Sequence, residues 1–122
     1  MTPPRVTQPD LVSVILPVFN EEGNLEELHA RLTRALGGLG RPYEILFVDD
    51  GSLDGSSASL ARLADSDARV RVVELATNFG QTAAMAAGIA HANGAVLITL
   101  DSDLQNDPAD IPRLLAKLEE GH

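Results

Sequence analysis

Apolar runs and amphipathic stretches alternate along the chain, and the alternation predicts its elements. Residues 11–16, Leu-Val-Ser-Val-Ile-Leu, are an apolar run rich in β-branched side chains. Such a run reads as a strand buried on both faces, here ended by Pro17. Leu25, Leu28, Leu32, Leu36 and Leu39 then recur at spacings of three and four, the period of an amphipathic helix. Asn24 suits its N-cap, and Gly37, Gly38 and Gly40 suit its end. A second strand is read over 43–48, a helix over 56–64, and a third strand over 70–75 with Val70 and Val72 inward and Arg71 outward. Residues 82–92 are rich in alanine, which predicts a helix able to lie close on a sheet, stopped by Asn93-Gly94. A fourth strand covers 95–100. The last helix, 109–120, turns Ile111, Leu114, Leu115 and Leu118 to one side and accommodates Pro112 in its first turn.

Strands that alternate with helices in this way imply an α/β fold, a mostly parallel sheet with helices on both faces. Residues 1–10 hold Pro3, Pro4 and Pro9 among few apolar residues and read as a flexible N-terminal tail, leaving 11–122 as one domain. In open sheets of this kind ligands bind beyond the carboxyl ends of the strands, where the strand order reverses. The loops at that edge carry Asn20, Glu21 and Glu22 after strand one, Asp49 and Asp50 after strand two, and Asp101 and Asp103 after strand four.

Composition narrows the classes. The chain is 44% hydrophobic with 3% aromatic residues, so aliphatic side chains fill the core. It has no cysteine, which leaves neither disulfides nor thiolate metal sites. The net charge of −9 excludes a nucleic-acid partner held through its phosphates. The start lacks an apolar signal segment, and no apolar run approaches the ~20 residues that span a bilayer. A location in the cytoplasm is expected.

The carboxylates carry the chemistry. Asp101 and Asp103 stand two apart at the end of an apolar run, and extended residues i and i+2 point the same way. Such a pair suits a hard cation, Mg²⁺ or Mn²⁺, and Gln105 can add a carbonyl oxygen. The bland alternative is a polar loop that caps the next helix. Like charges 4 Å apart cost ~4 kcal/mol at an effective dielectric of 20, so a crowded acidic rim needs an offsetting partner. Helix starts account for Asp54 and for Asp107 or Asp110, which leaves Asp50, Asp101 and Asp103 wanting a ligand. There is no Gly-x-Gly-x-x-Gly, no phosphate-binding Gly-x-x-x-x-Gly-Lys-Ser/Thr and no Gly-x-Ser-x-Gly elbow. His29, His91 and His122 have no metal-ligand spacing and read as surface residues.

Four stretches together resemble the family 2 glycosyltransferases of the GT-A fold. They are Val14-Ile15-Leu16-Pro17-Val18-Phe19-Asn20-Glu21-Glu22, Val48-Asp49-Asp50-Gly51-Ser52 with Asp54-Gly55, Asn78-Phe79-Gly80-Gln81, and residues 101–108 from Asp101 to Pro108. The order is similar to that of the bacterial relatives of dolichol-phosphate mannosyltransferase, which load a sugar onto a polyprenyl phosphate. The resemblance implies the Rossmann-like, nucleotide-binding half of a GT-A fold, binding a UDP- or GDP-linked sugar, with inversion at the anomeric carbon and a lipid-phosphate acceptor. It implies that Pro17, Phe19 and Glu21 line the nucleoside pocket and that Val48 and Asp50 hold the base. Asp101 and Ser102 then contact the nucleotide sugar, and Asp101, Asp103 and Gln105 hold the cation. It also implies an acceptor half and membrane segments beyond this chain, placing it at the inner face of the plasma membrane. Thr77 departs from the basic residue many relatives carry there. A catalytic base is not identified. Two rivals stand beside the enzyme: a non-catalytic fragment that binds nucleotide sugar and metal, and a receiver-like phosphoacceptor switch, against which stands the single lysine, Lys117.

Overall fold

The computed structural model describes residues 8–102 and 107–121. Its order is β1 (Gln8–Val18), α1 (Leu25–Gly37), β2 (Tyr43–Asp49), α2 (Ser56–Ser66), β3 (Val70–Glu74), α3 (Gln81–His91), β4 (Gly94–Thr99), a 3-10 turn (Pro108–Asp110) and α4 (Ile111–Gly121). The strands form one parallel sheet in the order β3-β2-β1-β4. The chain steps outward from β1 through β3 and then returns to the other side of β1. The strand order therefore reverses between β1 and β4, and the crevice there is the expected ligand site of such a sheet.

Alternate residues of β1 serve the two faces. Val12, Val14, Leu16 and Val18 pack with the α1 leucines Leu25, Leu28, Leu32 and Leu36, with Leu60 of α2, and with Ile111 and Leu115 of α4. Ile15 faces the other way, with Leu46, Val48 and Ala84 of α3. Three helices thus cover one face and α3 the other. The small residues of α3 allow that single helix to sit close. A Cβ on Gly88 would overlap the Ile15 side chain and come within 3.0 Å of Val48 Cγ2.

Pro17 does not end β1. The strand continues to Val18, with Pro17 in register with Val48. The reason is the direction of the missing N–H. Past the register shift between Gln8 and Val12, the odd residues of β1 bond toward β4, and Leu100 N–H to Ile15 C=O (3.0 Å) closes that ladder. Pro17 lies past its end, where no donor is needed. The strand also begins earlier than its apolar run, since Gln8 N–H donates to Asn93 C=O at 2.9 Å. Asn24 is the N-cap of α1 by position but makes no side-chain cap bond; its amide donates to Glu21 instead (2.6 Å). Helix α1 stops at Gly37, before Leu39, and a 3-10 turn rather than α-helix precedes Ile111.

A buried polar knot closes the α3 face at the amino ends of the strands. Glu44 Oε2 accepts from the Ser13 hydroxyl (2.6 Å) and the Asn93 N–H (2.7 Å), and Oε1 accepts from Arg71 (2.8 Å). Arg71 also donates to the His91 carbonyl (2.9 Å), so its charge meets the C-terminus of α3. Burial pushes the Glu44 carboxyl up, but the bonds from Ser13, Asn93 and Arg71 outweigh it and hold it below its usual value near 4.5. A carboxyl depressed by folding adds stability that is complete above the unfolded value and is lost as pH falls through the folded one. Glu44→Ala is therefore expected to cost about 2–4 kcal/mol at pH 7 and to flatten the acid limb of the stability curve, read by urea unfolding from pH 7 to 3.

His29 is not a surface residue. Its side chain is 18% exposed, and Nε2 meets Asp67 Oδ2 at 2.9 Å, tying α1 to the end of α2. Burial raises the Asp67 carboxyl, and the bonds from His29 and the Arg69 N–H more than offset this, leaving it lowered. Among the described residues no helix is long and apolar enough to cross a membrane.

Candidate functional site

The loops at the carboxyl edge are laced to one another, and the Asp-Asp-Gly-Ser turn after β2 is the hub. Asp49 Oδ1 accepts the Ser52 N–H (3.0 Å) and closes the turn. Gly51 is at φ +70°, and a Cβ there would lie 2.5 Å from the Asn78 nitrogen, so only glycine fits. Toward β1, Ser52 Oγ accepts the Asn20 N–H (3.0 Å) and Asn20 Oδ1 accepts the Leu53 N–H (2.8 Å). Asn20 itself is at φ 55°, a conformation asparagine tolerates. Ser56 Oγ accepts the Glu21 N–H (3.0 Å), and Glu22 Oε1 accepts the Gly55 N–H (3.0 Å). Asp54 accepts from the Glu22 and Ser56 N–H groups at 3.3 and 2.9 Å, so it serves the start of α2 as expected. Bonds from Ser56, first its hydroxyl, lower the Asp54 carboxyl.

Toward β3, the hub is Asp50. The residue is 2% exposed. Its carboxylate accepts the Phe79 N–H (2.8 Å), the Gly80 N–H (3.0 Å) and the Asn78 amide (3.2 Å). Gly80, at φ +101°, is the N-cap of α3, so Asp50 also sits at the positive end of that helix. On the far side, Gln81 Nε2 donates to Asp101 Oδ1 at 2.7 Å.

Between these loops lies a cleft of about 330 Å³, lined by Pro17, Val18, Phe19, Glu21 and Asp50 together with Asn78, Gly80, Gln81, Asp101 and Ser102. Of the residues expected at a site, the structure brings Pro17, Phe19, Glu21, Asp50, Asp101 and Ser102 to one place. Phe19 is 41% exposed, so it is wall rather than core. Val48 is different. It is fully buried beneath the cleft, packed with Ile15 and Leu46, because its β2 register turns it onto the α3 face. Asp103 and Gln105 lie outside the described residues. Asp107 caps the 3-10 turn through Ala109 N–H (3.0 Å), whereas Asp110 pairs with Arg113 (2.7 Å).

The acidic rim needs correcting on one point. Asp49, Asp50, Asp54, Glu21, Glu22 and Asp101 each accept hydrogen bonds from amide or backbone N–H groups of the chain itself. Those donors, not a bound cation alone, offset the crowding of like charge. Sequence reasoning gave Asn78, Gly80 and Gln81 no role in the cleft, although the Asn78-Phe79-Gly80-Gln81 stretch at a strand-to-helix junction is one of the four that carry the family resemblance. Among the described residues Asp101 accepts through Oδ1 from Gln81, and its carboxylate stands at the cleft wall, the chemistry a hard cation takes. Among the described residues no three carboxylate or imidazole side chains gather as a metal site.

The sequence profile of the family described as "Glycosyl transferase family 2" matches residues 13–122. The chain belongs to that family. Undecaprenyl-phosphate 4-deoxy-4-formamido-L-arabinose transferase of Klebsiella pneumoniae subsp. pneumoniae is 49% identical over 112 residues, 91% of this chain and 34% of that protein. The enzyme of the same name from Salmonella paratyphi B is 47% identical over 111 residues, again 34% of its length. This family 2 chain thus spans about a third of the curated relatives it matches. Among solved structures, S. aureus TarS 1-349 in complex with UDP-GlcNAc superposes with a TM-score of 0.69 at 25% identity, over 89% of this chain and 31% of TarS 1-349. The mannosyltransferase PcManGT from Pyrobaculum calidifontis, in complex with GDP-Man and Mn²⁺, gives 0.66 at 26% identity over 83% of this chain and 31% of its own. Both superpositions show a shared fold.

Proposed function

We propose that residues 11–122 form the nucleotide-sugar-binding part of an inverting, cation-dependent glycosyltransferase that loads a sugar onto a polyprenyl phosphate. The observation that carries this reading is the convergence of Asp50 and Asp101 on one cleft at the reversal of strand order, in a chain of this family. The relatives named for an undecaprenyl-phosphate acceptor support the lipid phosphate, and the neighbours solved with UDP-GlcNAc and with GDP-Man and Mn²⁺ support the donor and the ion.

Each wall of the cleft then has a task. Pro17, Phe19 and Glu21 border the nucleoside, with the Phe19 ring offering an apolar face. An ionised carboxylate has about four acceptor positions. Asp50 uses three on the 78–80 loop, and the fourth remains for a ring N–H of uracil or guanine. Asp101 and the Ser102 backbone meet the nucleotide sugar. Asp101 and Asp103 hold Mg²⁺ or Mn²⁺, with Gln105 as a further ligand. What such a cation would supply when bound is neutralisation of the diphosphate charge, which would make the diphosphate a better leaving group. A lipid phosphate is already an anionic nucleophile, so the chain needs no strong general base. A lipid-phosphate acceptor puts the proposed reaction at a membrane surface, and the inner face of the plasma membrane is the reading we propose.

A thermal-shift panel of UDP-, GDP- and dTDP-sugars with Mn²⁺ tests the reading. A ligand at 100 times its dissociation constant adds about 2.7 kcal/mol, a shift of several degrees for a domain of this size. One base is expected to stand out. No shift with any of the three would overturn the proposal.

A further inference from the structure

Gln81 is the first residue of α3, and its side chain crosses the cleft to the loop after β4, where Nε2 donates to Asp101 Oδ1 at 2.7 Å. Resting on the function proposed above, we infer that Gln81 is the positioning residue for Asp101. By occupying Oδ1 it would fix the carboxylate's rotamer and leave Oδ2 as the oxygen available to a cation.

The two residues are held very differently. Asp101 lies two positions beyond the end of β4, just past the last bond of the β1 ladder, Leu100 N–H to Ile15 C=O. Among the described residues no sheet bond fixes its backbone, and immobilising a free side chain at the moment of binding costs about 0.5–1.5 kcal/mol. Gln81 is anchored. The preceding Gly80 donates its N–H to Asp50 (3.0 Å), and its carbonyl accepts Ala84 N–H (3.0 Å) in the first turn of α3. An unbroken relay therefore runs from Asp50 through Gly80 and Gln81 to Asp101, joining the two carboxylates of the cleft. The amide is also the right group for the task. It donates one hydrogen bond without adding charge, so Asp101 keeps its full attraction for a cation, which a lysine or arginine in the same place would cancel. Outer partners of this kind hold metal-ligating side chains in orientation, and their loss typically weakens metal affinity 10–100-fold.

The test is an Mn²⁺ titration followed by electron paramagnetic resonance, with saturating UDP and, in parallel, saturating GDP. Wild type, Gln81→Ala and Gln81→Glu are compared, and the metal-free nucleotide affinity and melting temperature of each are measured beside it. Gln81→Ala is expected to weaken Mn²⁺ about tenfold. Gln81→Glu, which turns a carboxylate on Asp101, is expected to weaken it further. In both, the Mn²⁺ constant moves more than the metal-free nucleotide constant or the melting temperature. A structural role alone would move all three together and would overturn the assignment, as would an Mn²⁺ affinity equal in all three proteins. If wild type binds Mn²⁺ with neither nucleotide, the proposed function fails and Gln81's role with it. Wild-type binding with unaffected variants sinks the Gln81 assignment alone.

Discussion

Asp50→Ala is expected to destabilise the domain by about 2–4 kcal/mol and to release the 78–80 loop. The side chain is buried, and its carboxylate is the acceptor for the N–H groups of Phe79 and Gly80 and for the Asn78 amide. Each donor left without a partner costs about 1–3 kcal/mol when water cannot replace it, and the open cleft lets water replace part of the loss. Asp50→Asn keeps one acceptor but sets an amide N–H against a backbone N–H, so an intermediate cost is expected. Urea unfolding reads the stability. Hydrogen exchange at the Phe79 and Gly80 amides reads the loop, and both amides should lose protection in Asp50→Ala. A variant that melts with wild type and keeps that protection would remove Asp50 from the centre of the site.

The second large effect concerns the cation. Asp103→Asn is expected to lower nucleotide-sugar affinity in Mn²⁺ by more than about 100-fold, beyond the 10–100-fold typical of outer-shell partners, because it removes a negative ligand rather than its support. Ligand-free melting is expected to stay near wild type. Asp107→Asn is the control: that residue caps the 3-10 turn through the Ala109 N–H, and an asparagine oxygen does the same, so binding should not change. Equal loss in both variants would point to disruption of the loop rather than to a ligand.

The regular elements were legible because each carries a local signature, a period, an apolar run or a composition. The leucine period of α1 and the unbroken apolar run of β1 mark buried elements with no knowledge of the partner surface. The edge on which the acids gather was legible for the same reason, since a parallel βα repeat puts every strand's carboxyl end on one side. What escaped was set by neighbours distant in sequence. Pro17 reads as a stop, yet its effect depends on where β4 ends. Val48 reads as a pocket residue, yet β2's register turns it under α3. Asp50 reads as a ligand-seeking carboxylate, yet most of its acceptor capacity meets a loop 28 to 30 residues away. His29 finds Asp67 across 38 residues. In each case the residue type was informative and its partner was not.

Nucleotide-sugar affinity measured with and without the cation bears most directly on the whole account. Calorimetric titration of the best-stabilising nucleotide sugar is run once in Mn²⁺ and once in EDTA. Binding in Mn²⁺ that weakens by about 100-fold or more in EDTA is the predicted result, since the donor's diphosphate and a chain of net charge −9 repel each other unless a divalent ion stands between them. The same affinity under both conditions, or no heat under either, would contradict it.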